Sequence, residues 1–229
     1  MAATLVILSL AIPILPLDGR TKATGGLRKI IKRFADLHYI SAPHRPNVTS
    51  SDDRGDIRGW WFSKPDSQFS SRDSTNIATG FDESVEYIVQ YWRDHGPFDG
   101  LFGFSQGASM IHLLLAKWKL EQINIEPPNF VIFASGFLSL STLHDELTNV
   151  NLSSIPSLHI FGIGDEVVLY PISEKLVSRF EPKDDGERSY APLEIRHEGG
   201  HFIPPMSRYK QPFIEFLEGQ LVRARGKDI

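Results

Sequence analysis

Residues 100–109 read GLFGFSQGAS, and a later stretch reads HEGGHFIPP. Ser105 stands between Gly103 and Gly107, behind an apolar run and ahead of a stretch with helical periodicity. A serine on such a strand-turn-helix corner is held on a tight turn with its hydroxyl exposed. The next backbone N–H, that of Gln106, faces the negative charge that develops when the hydroxyl attacks a carbonyl, and the helix start adds partial positive charge at the same point. A hydroxyl is a weak nucleophile until a base takes its proton. Among eight histidines, His201 lies in GGHFIP after the last expected strand, where paired glycines let the backbone carry an imidazole over the sheet. Asp165, in SLHIFGIGDEVV, follows an apolar strand and a glycine-bearing turn, where an acid that orients the histidine belongs; Glu166 is its local competitor. Serine, then acid, then histidine is an order in which these groups perform acyl transfer.

His197 and His201 are four apart, a spacing that presents two metal ligands only on a helix. Gly199, Gly200, Pro204 and Pro205 oppose a helix there, so no metal site is expected. His197 is expected to end a strand and His112 to pack or cap within the helix after Ser105.

Positioning these groups requires a sheet. Expected strands cover 5–10, 37–41, 100–104, 130–135, 157–161 and 193–197. Expected helices cover 23–35, 76–95, 106–122, 172–180 and 207–224. Short apolar runs alternating with helical periods predict βαβ units and a mostly parallel, doubly wound sheet with helices on both faces, a three-layer α/β sandwich. With 229 residues and no evident linker, the chain is expected to form one domain, 1–229. Ligands in such sheets bind at the C-terminal strand ends. Ser105, Asp165 and His201 all fall at expected strand ends. Residues 45–75, polar but carrying Trp60, Trp61 and Phe62, read as an excursion over the sheet edge. Those three aromatics either line an apolar acyl pocket or form a cluster covering that edge. Residues 181–190 read as a solvated loop.

A formal net charge of −4 gives no electrostatic reason to expect a nucleic-acid partner. The absence of cysteine excludes disulfides, thiolate zinc sites and cysteine nucleophiles, and fits a reducing, cytoplasmic setting. The apolar run 4–17 is too short to span a bilayer. With no preceding Lys or Arg, no clear cleavage site, and Pro13 and Pro16 inside it, it reads as a first strand and loop rather than a secretory signal.

The segments GPFDGLFGFSQGA, SLHIFGxxDxVV and HxGGHFIP together resemble the family of serine hydrolases (FSH) within the α/β-hydrolases. RGWWFS at 58–63 and SAPH at 41–44 are most similar to its animal, ovarian cancer-associated esterase branch. The resemblance runs over roughly residues 24–220. It implies an α/β-hydrolase fold and a carboxylesterase acting on acyl or alkyl esters of small molecules without a cofactor, and it carries a catalytic triad onto Ser105, Asp165 and His201. One segment departs from the family pattern. Where family members carry a Gly-containing loop after strand 1, this chain reads LSLAIPILPLDGR. Pro13 has no N–H to donate, so Ile12 or a neighbour is expected to supply the second oxyanion donor beside Gln106. A binding-only pseudohydrolase and a thioesterase are the alternatives this reading leaves open.

Overall fold

The computed structural model describes residues 4–11, 27, 29–47, 57–183, 186 and 188–225. Its sheet is built from β1 (Leu5–Ala11), β2 (Ala35–Ser41), β3 (Gly100–Phe104), β4 (Phe130–Ala134), β5 (Ser157–Gly162) and β6 (Leu193–His197). The strands lie in the order β2-β1-β3-β4-β5-β6, and every neighbouring pair is parallel. Parallel strands buried on both faces read as near-continuous apolar runs rather than alternations, which is why FVIFA in β4 is buried at all five positions.

Side-chain alternation distributes these runs between two cores. Leu8, Leu10, Leu101, Val131 and Phe133 point into one, while Leu5, Ile7, Phe130, Ile132 and Ala134 point into the other. The first core is covered by α1 (Phe81–His95), α2 (Gln106–Lys119) and α4 (Tyr170–Val177). Its helix layer is joined by Trp92 and Trp118, whose rings meet edge-on at 5.3 Å. The second is covered by the helical residues 27 and 29–31 and by α5 (Lys210–Arg225), which contributes Phe213 and Leu217. A short α3 (Asp145–Thr148) follows a 3₁₀ turn at Thr142–His144.

The strands match their expected positions to within two residues, whereas the helices differ at both ends: the helix expected over 23–35 stops at residue 31, where a turn leads into β2 at Ala35, and α2 and α4 end at Lys119 and Val177 rather than at 122 and 180. α1 begins at Phe81 rather than at 76, because Thr79 exchanges two backbone hydrogen bonds with Phe62 and Gly80 turns the chain at φ 85°. α4 begins at Tyr170, two residues early, with Pro171 supplying the fixed φ of a first turn. The remainder of the expected helix 23–35 before residue 27 lies outside the described residues.

The chain runs from β1 to β2 in one direction, then recrosses to place β3 on the other side of β1. Open α/β sheets bind ligands in the crevice outside the strand ends where this reversal occurs. Ser105 directly follows β3 and therefore stands at that crevice. Among the described residues no helix is long and apolar enough to cross a membrane.

Candidate active site

Ser105 links β3 to α2 at φ 55° and ψ −122°, outside the regions that non-glycine residues ordinarily adopt. Such a conformation costs on the order of 1–3 kcal/mol and persists only where its surroundings over-determine it. Here the Ser105 N–H donates to the Ala134 carbonyl of β4 at 2.8 Å, and the Ser105 carbonyl accepts from Ser109 N–H at 3.1 Å. The two flanking glycines are steric necessities. A β-carbon at Gly103 would lie 2.6 Å from the Ala108 nitrogen, and one at Gly107 would collide with the Leu10 carbonyl oxygen. Strand β1, strand β3 and helix α2 thus close on one another through positions that admit no side chain.

The turn after β5 and the loop after β6 are packed together in the same way. Ile163 N–H donates to the His197 carbonyl at 2.7 Å, and Gly164 N–H to the Gly199 carbonyl at 3.1 Å. A side chain at Gly162 would strike the Gly199 and Gly200 carbonyls. This contact brings Asp165, on the β5 turn, against His201, on the β6 loop. Asp165 Oδ2 lies 2.7 Å from His201 Nδ1, and His201 Nε2 lies 3.0 Å from Ser105 Oγ. The other carboxylate oxygen, Oδ1, accepts the Val167 and Val168 N–H groups, both at 2.8 Å. Burial alone would raise the Asp165 carboxyl, but the hydrogen bond from His201 and those from Val168 and Val167 outweigh it and hold the group below the usual carboxylate range.

An ionised carboxylate only accepts, so His201 donates through Nδ1, and in the neutral ring of that tautomer Nε2 is the nitrogen that accepts from the serine hydroxyl. The Phe104 ring backs the imidazole at 4.9 Å. Of the two neighbouring acids, Asp165 is buried against His201, while Glu166 is exposed. His197 ends β6 as expected; its Nδ1 accepts the Gly199 N–H at 3.2 Å, which shapes the loop that carries His201.

The Gln106 N–H belongs to the first turn of α2, where backbone donors have no intrahelical acceptor. Ile12, expected as the second donor, lies outside the described residues. Trp60, Trp61 and Phe62 are 0%, 1% and 6% exposed. Trp61 packs edge-on against Phe69, Phe81 and His144. Trp60 and Trp61 belong to the first core, and Phe62 meets the His44 ring edge-on at 6.2 Å, so all three rings pack against protein. What reaches the site from this segment is its backbone. Gln106 Oε1 accepts the Trp60 N–H at 2.9 Å, and Gln106 Nε2 donates to the Trp61 carbonyl at 2.7 Å. This clamp joins residues 46 and 45 apart in sequence, and no local pattern announces it. Further along the excursion, Ser71 Oγ donates to the Val167 carbonyl at 3.1 Å, beside the acid. His112 packs as expected, fully buried within α2 and away from Ser105's hydrogen-bond chain.

Residues 20–213 match the family model described as "Serine hydrolase (FSH1)". The chain is 45% identical over 201 residues to Esterase C25G4.2 of Caenorhabditis elegans, covering 87% of this chain and 86% of the relative. It is 32% identical over 212 residues to Esterase OVCA2 of Homo sapiens, covering 87% and 89% respectively. Among solved structures, the acyl-protein thioesterase 2 of Zea mays superposes with a TM-score of 0.60 at 18% identity, over 96% of this chain and 95% of that one. That likeness speaks to the fold, an α/β-hydrolase sandwich.

Proposed function

Because the chain belongs to the FSH1 serine hydrolase family, we propose that it is a carboxylesterase in which Ser105, His201 and Asp165 form the catalytic triad. The observation that carries this reading is the unbroken hydrogen-bond chain from Ser105 Oγ through both His201 nitrogens to Asp165 Oδ2, at 3.0 and 2.7 Å. Ser105 Oγ attacks the ester carbonyl carbon as His201 Nε2 takes its proton. The carbonyl oxygen becomes an oxyanion facing the Gln106 N–H and the positive end of α2. Collapse of this intermediate breaks the bond to the alkoxy oxygen, which leaves as an alcohol with the proton from His201. Water then attacks the acyl-enzyme with His201 again as base, releasing the acid and restoring the serine. Asp165 keeps its charge throughout, holding the tautomer and stabilising the imidazolium. Each step uses protein side chains and water, so the reading requires no cofactor. A small-molecule ester is the substrate class this machinery serves.

The geometry supports turnover over binding alone. A ligand-binding relative has no use for a base held 3.0 Å from a strained serine. A fluorophosphonate probe should label the folded protein at Ser105, and p-nitrophenyl acyl esters should be hydrolysed. Ser105→Ala should lose both; retained turnover in that variant would remove the mechanism.

A further inference from the structure

The side chain of Gln106 holds both halves of its amide in the protein. Trp60 N–H can only donate and the Trp61 carbonyl can only accept, so two bonds, at 2.9 and 2.7 Å, fix the position and the tilt of one planar group. Gln106 is 3% exposed, and the segment it grips is itself immobilised. The Trp60 carbonyl accepts from Ser84 Oγ of α1 at 2.6 Å, and Phe62 pairs with Thr79. On the other side of the same residue lies the Ser105–Gln106 peptide. Its carbonyl is drawn into α2 by Ser109 N–H, which leaves its N–H pointing out of the helix start. The direction of that N–H is set by ψ of Ser105, the strained angle of −122°. Relaxing the strain would swing the peptide plane about the line between the Ser105 and Gln106 α-carbons. The clamp on the Gln106 side chain pins one end of that line to the 60–61 backbone.

We propose that the Gln106 side chain is a positioning residue for the reaction: by clamping the backbone at Trp60 and Trp61, it holds its own amide N–H aimed at the oxyanion and keeps Ser105 in its strained conformation. The inference rests on the esterase reading of Ser105. A preorganised donor helps only when aimed at where charge develops, and losing one such donor outright costs about a hundred- to thousandfold in kcat. A donor that is present but misdirected loses part of that.

Two variants test it, with kcat expressed per Ser105 titrated by a fluorophosphonate so that unfolded protein does not count. Gln106→Met keeps the length and deletes both bonds; kcat should fall roughly ten- to hundredfold while KM stays within about threefold. Gln106→Glu keeps the acceptor for Trp60 N–H and sets a carboxylate against the Trp61 carbonyl. A buried carboxyl takes up a proton more readily than a free one, and its O–H then replaces the lost donor. The kcat of Gln106→Glu relative to the parent should therefore rise as pH falls, whereas Gln106→Met should show a pH-independent ratio. Parent-like kcat per titrated serine in both variants would overturn the proposal, as would a Gln106→Glu ratio that does not depend on pH. If Gln106→Met does not fold, the pH dependence of Gln106→Glu decides alone. A parent protein that neither labels nor turns over would instead strike the esterase reading beneath it.

Discussion

Mild acid should destabilise this protein, because three histidines are buried where no carboxylate fully offsets the cost of charging them. His112 has no partner for either ring nitrogen among the described residues. Burial, aided by the nearby positive charges of Arg179 and His144, pushes it down to about 3. His159, wedged against Phe133 and Phe180 with Ser157 Oγ at 3.1 Å, is likewise pushed to about 3, by burial and then by His112. His144, bonded to Ser139 Oγ at 2.8 Å and tilted against the Phe81 ring at 4.2 Å, falls to about 4: burial dominates, Asp82 and Asp145 offset part of it, and Lys117 adds to it. In the unfolded chain each returns to its ordinary value of 6.5. Between these values the unfolded state binds more protons than the folded one, so stability is full above 6.5 and is lost as pH falls toward the folded values. Integrated from about pH 7.5 to about pH 5.5, each histidine costs the folded state a similar amount, and the three together cost about 4 kcal/mol. His197, also lowered by burial, acts with the same sign. Asp165, held below its unfolded value, adds a further loss only at more acidic pH.

Against a total stability of roughly 5–15 kcal/mol, that loss is large. With a urea m-value of about 3 kcal/mol per molar, the unfolding midpoint should drop by more than about 1 M over the same interval. His112→Leu supplies the internal control. Leucine fills the apolar site with nothing to titrate, so about one third of the parent's drop should vanish. Urea titrations followed by tryptophan fluorescence at both pH values measure all four midpoints. A parent midpoint that does not move with pH, or a His112→Leu protein whose drop equals the parent's, would refute the assignment of acid lability to these buried rings.

Asp165→Asn should leave the Ser105–His201 contact in place but favour the wrong tautomer of His201, lowering kcat on p-nitrophenyl esters by about 10⁴ with little change in KM, by analogy with the serine-protease triad. Ser105→Gly should remove the backbone strain along with the nucleophile; an inactive protein more stable by about 1–3 kcal/mol in thermal unfolding is expected, and unchanged stability would mean that the turn stores no strain. Gly107→Ala should cost about 1–3 kcal/mol or more through its collision with the Leu10 carbonyl, read as a lower urea midpoint.

The three side chains of the candidate triad were legible because each stands just after a strand. In a parallel sheet all C-terminal strand ends lie on one rim, so local apolar runs ending in glycine turns locate residues 105, 165 and 201 together despite separations of 96 and 36 positions. The choice of Asp165 over Glu166 was legible on the same ground, as the residue directly after the Gly162–Gly164 turn. What holds these residues was not legible, for a different physical reason. The clamp from Gln106 to Trp60 and Trp61, the pairing of Phe62 with Thr79 that delays α1, and the contact of Ser71 with Val167 all join loops whose relative register no periodicity encodes. A Trp-Trp-Phe run looks the same from sequence whether its rings face a ligand or the core; here the core claims the rings and the site receives only the backbone. The split follows from where the energy lies. Strand and helix formation is governed by local burial patterns, whereas the aim of a single N–H at an oxyanion is governed by a few directional bonds between distant segments.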